Sequence, residues 1–249
     1  MKNVLFYIAT VLIWGSTWIG IKMQLGVVDP MVSVTYRFAI AAVVLLLWCG
    51  LRGLNMRFSL REHCFMLLQG GLLFGFNYLL FYEAELHLTS GLAAVIFSTI
   101  LLMNVVNGAL LLGSHIDGRV LLGGGVGLLG IICVFHPEVT GFSLNNSTAR
   151  GMLLCVLATL LASWGNITSA RNQQHGLPII QTNAIGMAYG AVLLGLVALL
   201  SGKEFTVELS SVYIGSLIYL ALFGSIVAFG CYLSLLGSIG ADRAAYATL

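Results

Sequence analysis

Charge is what this chain has least of. Asp, Glu, Lys and Arg make up 8% of its 249 residues, against about 25% in a soluble globular domain. Loops alone can hold most of these, so the 59% of residues that are hydrophobic must face lipid or other protein, which excludes a soluble helical enzyme. The net charge of +2 is too small to point to nucleic acid or an acidic partner. The five cysteines, Cys49, Cys64, Cys133, Cys155 and Cys231, form no CxxC pair and mostly sit in apolar runs, so neither a disulfide framework nor a zinc site is indicated. The five histidines lie apart, near span ends, and do not read as a metal cluster. A Ser/His/Asp order, an HExxH helix and paired carboxylates are all missing, so no catalytic residue, metal or cofactor is expected. Gly123-Gly124-Gly125-Val126-Gly127 lacks the following Gly-Lys-Ser/Thr and lies in an apolar span, so it reads as close helix packing rather than a phosphate loop. The segment Trp14 to Trp18 is bulky and offers no A-x-A cleavage site, so the first apolar run reads as a retained helix rather than a signal peptide.

Long apolar runs are what the chain has instead. Crossing the hydrocarbon layer takes roughly 20 apolar residues, and candidate spans run over 4–22, 31–50, 64–83, 89–113, 119–136, 150–170, 179–201 and 212–236. A ninth begins near Arg243. Backbone groups in lipid must be satisfied within the segment, so these spans are helices; a membrane barrel would need short alternating strands. The fold class expected is an all-α polytopic membrane protein. The spans also repeat: Trp14-Gly15 returns as Trp164-Gly165, Gly26 as Gly176 and Tyr82 as Tyr232, each 150 residues further on. Five spans precede the restart, and an odd number makes the second copy enter the membrane from the opposite side, the inverted repeat of alternating-access transporters. By this register Leu249 corresponds to about Thr99, so the second repeat is expected to be truncated, short by roughly 40 residues if the halves are equal.

The halves divide at residues 137–149, a loop rich in Ser, Thr, Asn and Gly that also holds glycosylation sequons at Asn145 and Asn146, tripeptides that arise often by chance. Lys2, Arg52, Arg57, Arg61, Arg119, Arg171 and Arg243 fall on the N-terminal side of the membrane, and Lys22, Arg37, Arg150 and Lys203 on the other, which favours a cytoplasmic N-terminus. Gly71/Gly75, Gly123/Gly127 and Gly186/Gly190 have the spacing of close helix contacts.

Polar groups inside membrane helices are costly and are therefore candidates for function. Trp14, Trp18 and Lys22 share one face of the first helix, with Thr17 beside them. The indoles line a cavity, or they pack against neighbours. Arg37, in the second helix, binds a substrate carboxylate, pairs with an acid, or snorkels to the surface. The third helix carries Asn77, Tyr78 and Tyr82, and ends with Glu83 and Glu85, which read as a proton-accepting carboxylate near a cavity mouth or as solvated loop acids. Asn104 and Asn107 in the fourth helix line a pathway or hydrogen-bond between helices. In the second half, Trp164 and Asn166 occupy the region equivalent to Trp14, Asn183 aligns with Ser33, and nothing in the seventh helix matches Arg37. Scaffold repeats while chemistry does not.

These residues resemble the EamA-type family of drug/metabolite transporters. The resemblance is carried by Trp14-Gly15-Ser16-Thr17-Trp18, by Arg37-Phe38, by Tyr82 followed by Gly91-Leu92-Ala93-Ala94, and by Gly240-Ala241-Asp242-Arg243-Ala244-Ala245 in the second half. It implies ten helices in two inverted five-helix repeats, here 1–136 and an incomplete 150–249 about the linker 137–149, with cytoplasmic termini and a central cavity. It implies export of amino acids, related metabolites or drugs across the bacterial inner membrane. Two departures stand out: Ser98 to Leu112 contains no proline, where the family commonly has a kink, and the helix ends Leu112-Gly113-Ser114-His115 rather than Leu-Gly-Glu. The partners expected are a small-molecule substrate, the lipid bilayer and, as an open option, a second copy in a homodimer, with no nucleic acid. The competing expectation is a membrane assembly or receptor-like subunit, or an inactive truncated transporter.

Overall fold

A computed structural model describes residues 1–134, 136 and 146–248. Its helices are α1 (Lys2–Lys22), α2 (Pro30–Leu51), α3 (Leu60–Glu85), α4 (Ser90–Leu112), α5 (Gly118–Val134), α6 (Asn146–Gln174), α7 (Ile179–Leu200), α8 (Ser211–Ile239) and the short α9 (Ala241–Ala244), which runs into a 3₁₀ turn at Ala245–Thr248. No strand occurs among the described residues. Seven helices are long and apolar enough to cross a membrane; α5, expected over 119–136, is equally apolar but has 17 residues as described. Most of the loop expected at 137–149 lies outside the described residues, as does Asn145. From Asn146 onward the backbone is already helical.

Helix starts are set by side chains that satisfy the free N–H groups of the first turn. Asp29 accepts from the Met31 N–H at 2.9 Å, with Pro30 at the first helical position, where its missing N–H costs nothing. Ser59 and Glu62 form a reciprocal capping box. That box explains why α3 begins at Leu60, four residues before its apolar run: Arg61, Glu62 and His63 are polar but helical. Thr89 and Ser210 cap α4 and α8 in the same way.

Two helices depart from α geometry where hydropathy gives no warning. Gly70–Phe76 in α3 and Leu220–Val227 in α8 are π-helical, and their first residues stand 150 apart. Each wide turn meets a helix of the other half: Gly70–Phe76 packs on α7 and Leu220–Val227 on α2. In α4 the helix breaks at Ser98–Thr99 without any proline. The Ser98 hydroxyl donates to the Ala94 carbonyl at 2.8 Å and the Thr99 hydroxyl to Ile96 at 2.7 Å, so side chains compete for the ladder that a proline would have interrupted.

The core runs along α2 and α7, the most extensively packed pair. Phe38, Ala41, Leu45, Phe74, Met187, Leu194 and Phe229 are among its fully or nearly fully buried side chains. Backbones touch where α3 crosses α7: a Cβ on Gly70 would meet the Gly186 carbonyl, and one on Gly190 would lie 2.8 Å from the Gly70 carbonyl. One ion pair ties two loops, Lys203 to Asp29 at 2.7 Å, and another ties α9 to a loop, Arg243 to Asp117 at 3.5 Å.

Gly70→Leu is expected to cost about 1–3 kcal/mol by overpacking this contact, read as a lower thermal midpoint in detergent. Gly15→Ala, where a Cβ meets nothing within 4 Å, should leave the midpoint unchanged.

Candidate functional site

A cavity of about 50 Å³ lies between the first and second halves of the chain. Its walls are Trp14, Thr17, Trp18 and Ile21 from α1, Leu73, Asn77, Tyr78 and Phe81 from α3, Phe97 and Ile100 from α4, Ala162 and Asn166 from α6, Phe229 and Tyr232 from α8, and Thr248. Six of the eleven candidate residues meet here: Trp14, Thr17, Trp18, Asn77, Tyr78 and Asn166.

The indoles are held by other aromatics. Trp14 donates from Nε1 to the Gly224 carbonyl, in the π segment of α8, at 3.3 Å. Its ring centroid lies 5.0 Å from Phe229 and 4.7 Å from Tyr232. Trp18 makes edge contacts with Phe81 at 5.7 Å and Phe97 at 5.9 Å. Asn166 donates from Nδ2 to the Tyr232 hydroxyl at 3.1 Å. The amide oxygens of Asn77 and Asn166 accept nothing from the protein. An unpaired buried amide is costly and calls for an explanation, and here two occur in one cavity wall, on helices from opposite halves.

Arg37 neither snorkels nor pairs with an acid. It is 0% exposed, and no carboxylate lies within ion-pair distance among the described residues. It stands seven residues past Pro30, about 10 Å into α2. Its Nε donates to the Ser225 hydroxyl at 2.9 Å, and its guanidinium carbon lies 4.4 Å from the centroid of Tyr78. Ser225 in turn donates to the Leu220 carbonyl at 3.0 Å, a bond confined to the π segment. Insertion scales put a central membrane arginine at about +2.5 to +3.5 kcal/mol. A hydrogen bond to a charged group, at about 1.5–3 kcal/mol, together with a desolvated cation–π contact of about 2 kcal/mol, offsets much of that without a counter-ion, while Nη1 has no hydrogen-bond partner. Tyr78 and Thr17 therefore line the cavity with Arg37 behind them.

The other four candidates lie elsewhere. Tyr82 donates to Gln24 Oε1 at 2.6 Å and is fully buried in the core. Asn104 donates to the Ala241 carbonyl at 3.3 Å, beside a second pocket between α4, α6 and α8. Asn107, its neighbour one turn on, donates to Ser163 at 2.8 Å. Asn183 accepts from Gln69 at 3.5 Å, while Gln69 accepts from Asn172 at 2.9 Å, an amide chain that joins α7, α3 and α6. Trp164, equivalent to Trp14 in the repeat, is 38% exposed and away from the cavity. Glu85 is not a solvated loop acid: it is 4% exposed, its Oε2 accepts from Ser90 at 3.0 Å and its Oε1 has no partner. Sequence reasoning missed Phe81, Phe97 and Phe229, which carry no polar signal; Tyr232 was visible as the repeat partner of Tyr82.

Ser225→Ala should cost about 1.5–3 kcal/mol of stability with Arg37 present and much less in an Arg37→Met background. A double-mutant cycle of thermal or denaturant midpoints in detergent reads the coupling; additivity would mean that Arg37 draws its support elsewhere.

The sequence compares with known proteins over nearly its whole length. The EamA-like transporter family matches residues 1–136 and 149–249. The "Uncharacterized transporter YoaV" of Bacillus subtilis (strain 168) is 27% identical over 100% of this chain and 84% of its own length. The "Uncharacterized inner membrane transporter YedA" of Escherichia coli (strain K12) is 28% identical over 93% of this chain and 73% of its own length. The "Probable amino-acid metabolite efflux pump" of Escherichia coli (strain K12) is 22% identical over 95% and 78%. One solved crystal structure shares the fold, with a TM-score of 0.73 over 99% of this chain and 85% of its own at 18% identity. With a helical membrane bundle enclosing a polar-aromatic cavity, and a family match in both halves, the chain belongs to the EamA-like transporter family.

Proposed function

We propose that this protein is a secondary transporter that exports small metabolites, amino acids or related compounds, across the bacterial inner membrane by alternating access. The observation that carries the reading is the cavity wall shared by both halves, in which Asn77 and Asn166 each keep an unpaired amide oxygen among aromatic rings. The free acceptors suit a solute that brings N–H donors, and the aromatic walls suit its apolar part. Likeness to a relative named as an amino-acid metabolite efflux pump supports the same substrate class.

In this reading residues 1–136 and 150–249 form two inverted repeats, and their relative rocking exposes the cavity to one side and then the other. The two π segments, at equivalent positions and each packed against the opposite half, are where such a motion would be accommodated. The N-terminus is cytoplasmic, since Lys2, Arg52, Arg57, Arg61 and Arg171 lie on its side by the alternation of spans. Glu85 is the buried carboxylate among the described residues and is assigned the coupling proton.

Counterflow of labelled amino acids into proteoliposomes tests the function. Trp18→Ala and Asn77→Ala are each expected to slow it by at least about tenfold, equivalent to about 1.4 kcal/mol, while Trp164→Ala leaves it near wild type. Unchanged rates in the first two at normal expression would remove the cavity from the pathway, and no counterflow by any variant or by wild type would favour a non-transporting subunit.

Glu85→Gln should retain counterflow yet lose acceleration by a proton gradient. Wild-type-like acceleration in this variant would free Glu85 of the coupling role.

A further inference from the structure

A further concavity, lined by none of the residues of the central cavity, lies between the helices. It holds about 540 Å³ between α1, α2, α7 and α8, and its walls are mostly aliphatic, with Leu45, Ile180 and Val227 among them. Phe6 and Trp48 line it too, and each carries a cation over its ring: the Lys2 ammonium lies 5.4 Å from the Phe6 centroid and the Arg52 guanidinium 5.2 Å from that of Trp48. Lys2 and Phe6 are in the first turns of α1, Trp48 in the last turn of α2, so both cations sit at one end of the groove. Neither makes an ion pair among the described residues, and no carboxylate lines the groove. At the floor is Asn183, 2% exposed, whose side-chain oxygen accepts a long hydrogen bond from Gln69 at 3.5 Å.

We propose that this groove binds an anionic glycerophospholipid, with its phosphate between Lys2 and Arg52, one acyl chain along the aliphatic wall and the Asn183 amide N–H donating to an ester carbonyl. Three features select this occupant. Val44, Trp48, Ile180 and Val227 of its lining are exposed apolar side chains on spanning helices, which turns the groove toward lipid, as the site of a membrane lipid must be. Its apolar walls demand hydrocarbon, which a free anion lacks. Its mouth is cationic with no acid to neutralise it, and basic pockets between membrane helices are sites of anionic head groups. The buried amide, which a lipid tail alone would leave unused, lies one turn into α7, below the cations. The site does not depend on the transport reading: the lipid would be retained whether or not the central cavity moves a solute.

The test is native mass spectrometry of the full chain released from micelles that contain equimolar phosphatidylglycerol and phosphatidylcholine. The wild type is expected to retain phosphatidylglycerol in preference by at least about tenfold. The double variant Lys2→Gln/Arg52→Gln should lose that preference. The pair Arg57→Gln/Arg61→Gln, which removes a cation of the neighbouring loop and one of the first turn of α3, both outside the groove, should keep it. Ile180→Trp, which fills the groove without changing charge, should lower retention of the lipid itself. Equal retention of both lipids by wild type, persistence of the preference in the first pair, or its equal loss in the second would overturn the proposal. Displacement of the retained lipid by sn-glycerol 1-phosphate alone would overturn it as well, since the site would then be one for a free phosphate.

Discussion

An unpaired polar group in hydrocarbon has no water to fall back on, and that constraint orders the whole molecule. With 8% charged residues, the chain has little polar material to place, and most of what lies inside the bundle is spent helix to helix. Gln69 joins Asn172 to Asn183, Asn107 reaches Ser163, Ser33 meets Tyr213 and Tyr82 meets Gln24. Against that background the exceptions acquire meaning. Arg37, compensated by a hydroxyl and a ring rather than an acid, binds α2 to the π segment of α8. The amide oxygens of Asn77 and Asn166, unpaired like Asn104 Oδ1 and Gln24 Nε2 elsewhere, are the two that lie in the cavity wall.

The π segments follow from the same constraint. A widened turn shifts carbonyls out of register and makes new acceptors available. Trp14 takes one at Gly224, and the Ser225 hydroxyl takes another at Leu220 while receiving Arg37. In the first half the equivalent turn is met by glycines, with Gly70 against Gly186 and Gly190. One half thus secures its wide turn by close backbone packing and the other by a buried cation. Similar scaffolds with dissimilar fastenings are what a cavity between the halves requires if it is to hold an asymmetric solute.

Much of the architecture was legible in the sequence, because hydropathy reports burial in lipid almost directly. The apolar runs located the spans, and Asp29-Pro30 and the Ser59 box set starts that chemistry rather than hydropathy decides. The π segments were not legible, since Gly-Gly-Leu-Leu-Phe-Gly-Phe and Leu-Ala-Leu-Phe-Gly-Ser-Ile-Val suit an ordinary helix equally well. The break in α4 was hidden for a related reason: two hydroxyls do there what a proline would have announced. At the site, spacing put Trp14 and Trp18 on one helix face, and the structure sets Asn77 and Tyr78 in the same cavity wall. The repeat failed for Trp164, because equivalence in sequence does not make the neighbours equivalent: Trp14 has Phe229 and Tyr232 to pack on, and Trp164 is partly exposed. Arg37 looked like a surface-seeking side chain because its partner, Ser225, lies 188 residues away.

The central claim is that the cavity between the halves is a compartment reached in turn from each side of the membrane. Its most direct test places a single cysteine at Asn166, in a background whose five native cysteines are replaced by alanine, and treats sealed vesicles of each orientation with a membrane-impermeant maleimide. Alternating access predicts labelling from both faces, slowed on both by a transported amino acid. Labelling from one face only, or from neither, with the variant folded and active, would contradict it.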